Sequence, residues 1–252
     1  MPLPGNEIHL YFSQPEQISD PELLRHYKSL LTDDERIQMS RLYYARHRHQ
    51  FLVTRALVRS CLSRYFDIEP GDWRFTKNDY GKPEVSLPVV PGQVRFNLSH
   101  CQGLVMCGIA RNHDIGVDVE DAQRNTRSAL NSLSSYFSAS EIAEIARLPS
   151  ERQKQRFFDY WTLKESYIKA RGMGLAIPLA KFSFRFEEDR LAGFETHQDL
   201  NDDASNWTFW RISRNRDYRV AVAINSGNDN FRLSAFDTVP LDHCQTARLA
   251  IL

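Results

Sequence analysis

The chain has 252 residues, of which 42% are apolar and 25% are charged, so it can bury the core of one large domain or two small ones. Its 32 basic and 32 acidic residues balance, which argues against general binding to nucleic acid or to an anionic membrane. The N-terminus has no basic start followed by an apolar run, and no stretch approaches the roughly 18 apolar residues of a membrane helix. These features predict a cytoplasmic protein whose anion sites are local clusters.

The first helical pattern begins at Thr32, which has the capping-box spacing to Glu35, and apolar residues recur at helical intervals from Phe51 to Leu62. Basic residues are concentrated in the stretch "RLYYARHRHQF". Such a stretch is either a solvated helix face or a site that captures an anion. The strand-like segments "WRF" and "GKPEV" follow, separated by a turn with a lysine at each end, Lys77 and Lys82. Lysines are common in surface turns, so this pair is a weak signal by itself.

Three strands are predicted next, at 94–100, 104–110 and 114–120. The first of them, "VRFNLSH", ends in polar residues that include Ser99 and His100. These side chains form either an ordinary polar strand exit or a pair of donors to a phosphate, and the residues alone leave both interpretations open.

The third strand contains the segment "IGVDVE", in which apolar residues alternate with Gly116, Asp118 and Glu120. Because successive side chains of a strand point to opposite faces, Asp118 and Glu120 are expected to point the same way. Two carboxylates without a local His or Cys favour Mg²⁺ or Mn²⁺ over zinc. An ordinary strand with one wet face would show the same alternation. Gly116 on that face is expected to let a bulky ligand approach the backbone.

A second capping-box spacing, Ser138 to Glu141, precedes the segment "FFDYWTLKESYIKARGMGL". If this segment is helical, its charged residues lie on one face at four-residue spacing with a tryptophan, in the order Trp161, Glu165 and Lys169. Glycines at 172 and 174 are expected to end the helix.

Glu165 lies among apolar neighbours, and a partly buried carboxylate needs a cationic partner. The partner is either Lys169, in an ordinary helical ion pair, or a metal shared with Asp118 and Glu120. Because Mg²⁺ usually keeps waters and adds substrate phosphates, the metal interpretation predicts a phosphorylated substrate.

Further strands are predicted at "KFSFRF" and at 206–212 and 218–224, while the tail after about Asp237 has little pattern and is expected to wrap the surface. Both regions with a capping box lead through a helix into strand-like sequence. The sequence therefore predicts an α+β fold with mainly antiparallel sheets and two similar α/β halves.

Four motifs, "YGKPEV", "FNLSH", "IGVDVE" and "WTLKESYIKARGMGL", follow one another in an order and spacing that resemble the surfactin-synthetase-activating type of 4′-phosphopantetheinyl transferase. The set Trp-x-x-Lys-Glu-Ser-x-x-Lys in the last motif is specific, whereas each of the others is weak alone. By motif the resemblance covers roughly residues 30–185.

The resemblance implies a pseudo-twofold pair of similar α/β halves, 1–113 and 114–252, with the active site in the cleft between them. It implies transfer of 4′-phosphopantetheine from coenzyme A to a serine of an apo acyl or peptidyl carrier protein. The products are the holo carrier protein and adenosine 3′,5′-bisphosphate. The reaction is expected to depend on Mg²⁺, with Mn²⁺ as the alternative ion, and the protein is expected to be a monomer.

The resemblance also assigns roles to individual residues. The implied metal ligands are Asp118, Glu120 and Glu165. The implied catalytic residues are Glu165 and Lys169. The implied contacts to coenzyme A are Arg46, Lys77, Lys82, Pro83, Asn97, Leu98, Ser99, His100, Asp118, Glu165 and Lys169, with His100 at the 3′-phosphate.

The chain departs from the family pattern in its early helix. Glu35 and Gln38 stand where some members have lysines that contact the 3′-phosphate, and Arg36 or Arg46 is expected to substitute for them.

Two other functions compete with the transferase. A non-catalytic protein that binds coenzyme A or a nucleotide would not need all three metal carboxylates. A nucleic-acid binder using the basic stretch 41–59 is opposed by the zero net charge.

The segment 121–137 follows the metal strand and contains Arg124, Arg127 and several apolar residues. It is predicted to dock the carrier protein, because carrier proteins of the family are acidic around their serine. A solvated loop is the alternative.

Overall fold

The computed structural model describes residues 3–126, 133–214, 217–227 and 229–252. The helices of these ranges are α1 (Pro21–Ser29), α2 (Asp33–Ser40), α3 (Ala45–Ser63), α4 (Ala139–Arg147) and α5 (Ser150–Arg171). The strands are β1 (Glu7–Ser13), β2 (Arg74–Lys77), β3 (Pro83–Leu87), β4 (Val94–Cys101), β5 (Leu104–Arg111), β6 (Ile115–Asp121), β7 (Phe182–Glu187), β8 (Arg190–Thr196), β9 (Trp207–Arg214), β10 (Tyr218–Asn225), β11 (Arg232–Val239), β12 (His243–Ala247) and β13 (Ala250–Ile251). None of the helices in the described ranges is long and apolar enough to span a membrane.

The chain divides into two compact units, each built from separate segments. The first unit comprises Met1–Lys77, Pro83–His113 and Phe231–Arg248. The second comprises Asn78–Lys82, Asp114–Asn230 and Leu249–Leu252. The predicted halves are continuous in sequence, whereas each unit also takes residues from the other half.

The first unit contains a five-stranded sheet in the order β12-β11-β1-β5-β4. Strands β1 and β11 are parallel, and the other pairs are antiparallel. Helix α3 packs on this sheet and buries an almost continuous run of residues from Leu52 to Leu62. Burial of these side chains, at about 25 cal/mol per Å² of apolar surface, is the main stabilisation of the unit.

The second unit contains a four-stranded antiparallel sheet in the order β13-β9-β10-β6. Helix α5 packs across β6 and β10. Both units follow a similar element order: a strand, then helices (α1 to α3 in the first unit, α4 and α5 in the second), a β-hairpin and an antiparallel strand pair. In each unit the first strand pairs with the last of these strands, β1 with β5 and β6 with β10. The predicted α+β fold with mainly antiparallel sheets is confirmed.

Local sequence signals explain three of the helix ends. Both predicted capping boxes are present, with Thr32 and Ser138 each accepting from the backbone N–H of the glutamate three residues later. Helix α5 ends at Gly172, whose φ of 69° is left-handed and favours glycine.

The tail after about Asp237, which has little pattern in the sequence and was expected to wrap the surface, forms regular strands. Strand β11 extends to Val239, and β12 and β13 follow it. The residues of β12 and β13 are half-buried or exposed, so these strands carry no apolar alternation from which they could be predicted.

A buried ion pair ties the helices of the second unit to its hairpin. Lys164 and Glu141 are both 0% exposed, and their charged groups lie 2.9 Å apart. The Lys164 Nζ also donates to the carbonyl oxygens of Leu179 at 2.8 Å and Phe182 at 2.7 Å, while Glu141 Oε1 accepts from the Phe184 N–H at 2.9 Å. Each buried charge is therefore paired and hydrogen-bonded, which is the condition for keeping it in a core.

Replacing Lys164 by Met is expected to lower the free energy of unfolding by about 3 kcal/mol, because the Glu141 carboxylate then stays buried without its cation. Urea unfolding followed by tryptophan fluorescence measures the change. Lys181→Met is the matched control, since the Lys181 side chain is 40% exposed in its pair with Asp199. Equal stability of the two variants would contradict a structural role for Lys164.

Candidate active site

Helix α5 lies unusually close to strand β6 because position 116 has no side chain. A Cβ atom built on Gly116 would stand 1.9 Å from the Ser166 carbonyl oxygen and 2.4 Å from the Ala170 nitrogen. The expectation that Gly116 leaves room for a ligand was wrong, because the backbone of α5 occupies that space. The face of β6 that carries Asp118 and Glu120 is therefore covered by α5 rather than open to water.

The predicted stripe on α5 is confirmed. From Phe157 to Ala170 every residue is buried except Trp161, Glu165 and Lys169, which are half-buried. Since these three are four residues apart, they form the only partly accessible line along this part of the helix. A helix segment that is buried except for one polar line, and whose line faces a pair of strand carboxylates, can present those polar groups to a ligand.

Asp118 and Lys169 form the closest polar contact of the site. Lys169 Nζ lies 2.6 Å from Asp118 Oδ1 and 3.3 Å from the Val117 carbonyl oxygen. The Asp118 residue is only 4% exposed, so this charge-assisted hydrogen bond is shielded from bulk water. Lys169, one of the two alternative partners considered for Glu165, thus reaches across to the strand.

Glu120 is held by two donors on the same side of the sheet. It accepts from Trp161 Nε1 at 2.8 Å, and the Arg124 guanidinium lies 3.2 Å from its other oxygen. Burial raises the pKa of Glu120 to about 7, and the nearby charge of Asp118 adds to the rise against the opposing effects of Arg124 and Trp161. The two donors fix the orientation of the Glu120 carboxylate, but they compensate its negative charge only weakly.

Glu165 has the same electrostatic character. Burial raises its pKa, the charge of Asp118 raises it further, and Lys169 opposes both effects. The three predicted metal carboxylates therefore lie close enough for Asp118 to influence both of the others. Oxygen-only donors whose negative charge is only partly compensated have the chemistry that suits a hard divalent cation. Within the described ranges, no group of three His, Cys, Asp or Glu side chains is arranged to hold a metal ion, so the metal assignment stays a prediction.

Lys82 is placed differently from the solvated turn lysine that the sequence suggests. Its side chain is 9% exposed, and its Nζ donates to the Ala170 carbonyl oxygen at 2.8 Å, at the end of α5. The neighbouring Asn78, which the sequence analysis did not single out, donates to the Gly172 carbonyl oxygen at 2.8 Å. The sequence did contain a signal that Asn78 lies in a tight turn, because an asparagine three residues before a glycine is typical of such turns.

The predicted phosphate donors of the first unit lie on β4. Asn97 and Ser99 are buried, Leu98 is half-buried and His100 is exposed. Because Ser99 and His100 are adjacent on a strand, their side chains point to opposite faces, and strand geometry does not favour a joint contact of both with one phosphate. Their separate contacts with coenzyme A stay predictions.

The other predicted contacts of the first unit are at the ends of elements. Lys77 is exposed at the end of β2 and pairs in register with Pro83, which opens β3. Arg46 is exposed in the first turn of α3, with its guanidinium 5.3 Å from the centre of the Tyr44 ring. Exposed cations at a helix N-terminus suit an anionic ligand.

The departure at Glu35 has a structural reason. Its carboxylate lies 2.7 Å from the buried Arg59 and 3.5 Å from Arg55. Glu35 therefore forms ion pairs within the first unit. Arg36 donates through Nε to the Leu31 carbonyl oxygen at 3.1 Å, and both proposed substitutes, Arg36 and Arg46, are exposed.

Part of the predicted carrier-docking segment, including Arg127, lies outside the described residues. Arg124 is described, and it pairs with Glu120 instead of pointing only to solvent. This contact was not predicted from the sequence, although the four-residue spacing of the two opposite charges was a signal for it. The docking surface stays a prediction.

Comparisons with known proteins agree with the motif resemblance. The family model described as "4'-phosphopantetheinyl transferase superfamily" matches residues 114–223, and that described as "4'-phosphopantetheinyl transferase, N-terminal" matches residues 19–111. The chain is 32% identical over 224 residues to 4'-phosphopantetheinyl transferase HetI of Nostoc sp. (strain PCC 7120), covering 87% of this chain and 88% of that protein. It is 31% identical over 186 residues to 4'-phosphopantetheinyl transferase Sfp of Bacillus subtilis (strain 168), covering 74% and 79%. It is 30% identical over 173 residues to 4'-phosphopantetheinyl transferase gsp of Aneurinibacillus migulanus, covering 69% of each chain.

Proposed function

The chain belongs to the 4′-phosphopantetheinyl transferase family, whose members are enzymes that use coenzyme A to activate carrier proteins, and we propose that Asp118, Glu165 and Lys169 form its reaction centre. The observation that carries the proposal is the 2.6 Å contact between the buried Asp118 and Lys169, which belongs to the only partly accessible line of α5 between Phe157 and Ala170. A binding protein without chemistry would have no need for a shielded cation among three carboxylates.

In the proposed reaction, the serine hydroxyl oxygen of the apo carrier attacks the phosphorus that bears the pantetheine arm. A new P–O bond forms, and the bond from that phosphorus to the bridging oxygen of the pyrophosphate breaks. Adenosine 3′,5′-bisphosphate leaves with the bridging oxygen. The serine proton goes to Glu165, directly or through a water, and the raised pKa of this carboxyl suits it to accept a proton.

Charge on the transferred phosphoryl group is balanced by Lys169, whose ammonium would contact the equatorial oxygens. Asp118, whose carboxylate lies 2.6 Å from it, orients that ammonium. Asp118, Glu120 and Glu165 would hold Mg²⁺ or Mn²⁺, which supplies positive charge to the pyrophosphate when it is bound. Trp161 and Arg124 fix the orientation of Glu120, so this carboxylate needs little reordering to act as a ligand.

The function is tested by mass spectrometry of several apo carrier proteins incubated with the enzyme, coenzyme A and Mg²⁺. We expect at least one carrier to gain the mass of one phosphopantetheine group. Binding of coenzyme A without any mass shift on acyl or peptidyl carriers would favour the non-catalytic alternative. The cytoplasmic location and the monomeric state stay predictions.

His100 is proposed to contact the 3′-phosphate of coenzyme A. Since a hydrogen bond to a charged group is worth about 1.5–3 kcal/mol, His100→Ala is expected to raise the KM for coenzyme A by roughly tenfold or more. The same change should affect 3′-dephospho-coenzyme A much less. Steady-state kinetics with both substrates measure the difference, with His243→Ala at an exposed position as the control. Equal losses with both substrates would contradict a 3′-phosphate contact.

A further inference from the structure

The segment Asn78–Lys82 is a self-contained turn that belongs to the second unit, although the residues on both sides of it belong to the first. Asn78 Oδ1 accepts from the backbone N–H groups of Tyr80 at 3.0 Å and Lys82 at 2.9 Å. The Asn78 N–H donates to the Lys82 carbonyl oxygen at 3.0 Å, and Gly81 takes the φ of 91° that the turn requires. The turn is therefore held in one conformation by its own hydrogen bonds.

This turn caps the C-terminal end of α5. The last carbonyl groups of a helix have no partner within the helix, and they carry the negative end of its dipole. Asn78 Nδ2 donates to the Gly172 carbonyl oxygen and Lys82 Nζ to the Ala170 carbonyl oxygen, both at 2.8 Å. A Cβ built on Gly172 would lie 3.0 Å from both side chains, so the turn packs directly against the helix end.

The helix end that is held in this way carries Lys169, the residue before Ala170. Lys169 reaches Asp118 at 2.6 Å, and the backbone of its neighbour Ala170 lies against Gly116, with its nitrogen 2.4 Å from a Cβ built there. Lateral movement of the last turn of α5 would displace the Lys169 ammonium from Asp118. Misplacement of a reacting group by about 1 Å can cost roughly a hundredfold in rate.

We propose that Asn78 and Lys82 are positioning residues, which clamp the C-terminal turn of α5 and thereby align Lys169 with Asp118. The inference rests on the proposed function. It gives Lys82 a role in the rate of the reaction that differs from its predicted contact with coenzyme A, because its ammonium donates to a backbone carbonyl and lies 4.0 Å from the Asp114 carboxylate.

The test compares Lys82→Met, Lys82→Arg and Asn78→Ala with the wild-type enzyme, at saturating carrier protein and varied coenzyme A. We expect Lys82→Met and Asn78→Ala to lower kcat by about tenfold or more, with less than a twofold change in the KM for coenzyme A. Lys82→Arg should recover most of the rate, because a guanidinium can also donate to the Ala170 carbonyl oxygen. Lys181→Met is the control for loss of an exposed lysine charge.

A second measurement tests whether Asn78 and Lys82 hold the end of α5, and it does not depend on catalytic activity. Hydrogen exchange of the backbone amides of residues 168–172 is expected to be at least several-fold faster in Lys82→Met and Asn78→Ala than in the wild type, with no change in β6. A tenfold rise in the KM for coenzyme A at unchanged kcat, or wild-type exchange at the end of α5, would overturn the inference. If the wild-type enzyme modified no carrier protein, the proposed function would fail, while the exchange rates would still show whether the clamp exists.

Discussion

Replacing Asp118 by Asn is expected to lower kcat for phosphopantetheine transfer by roughly a thousandfold, the order found when one electrostatic group of a reaction centre is removed. The substitution keeps the shape of the side chain and removes its charge. Lys169 then loses the carboxylate 2.6 Å from its ammonium, and the metal carboxylates lose the member that influences both of the others. Mass spectrometry of the carrier over time measures the rate.

The fold is expected to survive this change. The Lys169 side chain is 27% exposed, so its charge can turn to water when the partner is neutralised. Glu195→Gln, at an exposed position of β8, is the matched control for loss of one carboxylate charge in the same unit. Turnover of Asp118→Asn close to that of Glu195→Gln in saturating Mg²⁺ would show that the reaction centre lies elsewhere.

Periodicity predicted the local geometry of this site, because it depends only on residues that are close in sequence. The two-residue alternation of β6 placed Asp118 and Glu120 on one face, and the four-residue spacing of α5 aligned the residues that oppose them. Periodicity could not predict which element of the fold covers a given face of the strand. The alternation in β6 reads the same whether water, a ligand or a helix lies above it, so the role of Gly116 was misassigned.

The two lysines of the last motif show the same limit. Lys164 and Lys169 are five residues apart, so they point in directions roughly 140° apart around the helix. One direction leads into the core, where Glu141 and two carbonyl oxygens receive Lys164. The other leads to Asp118. The sequence shows that the two side chains point in different directions. It does not show their partners, because Glu141 is 23 positions from Lys164 and Asp118 is 51 positions from Lys169.

Lys82 adds a third case. The turn that contains it could be predicted from its asparagine and glycine, and a lysine in a turn is usually solvated. Its contact with Ala170 spans 88 positions in the chain. Only the packing of the turn on α5 makes that contact, and no short-range pattern encodes it.

Gly116→Ala is expected to have the largest effect on stability, lowering the free energy of unfolding by more than about 3 kcal/mol. The added Cβ would stand 1.9 Å from the Ser166 carbonyl oxygen and 2.4 Å from the Ala170 nitrogen. Both atoms belong to the helix backbone, so no side-chain rotation can relieve the overlap, and α5 must move away from β6. That movement would separate Lys169 from Asp118, so any folded variant is expected to have lost most of its transferase activity. Urea unfolding and the carrier assay measure the two effects.

Gly193→Ala is the matched control, because a Cβ built there meets only the Arg185 side chain, at 3.5 Å or more. It adds the same methyl group to a strand of the same unit without meeting backbone. Gly116 lies in the regular strand β6, so the close approach of the helix, and not an unusual backbone conformation, requires a glycine there. The expected difference in unfolding free energy between the two variants therefore reports this close approach alone. Equal stability of both variants would mean that α5 does not lie against β6 at this distance, and the contacts of Lys169 with Asp118 would then lose their structural basis.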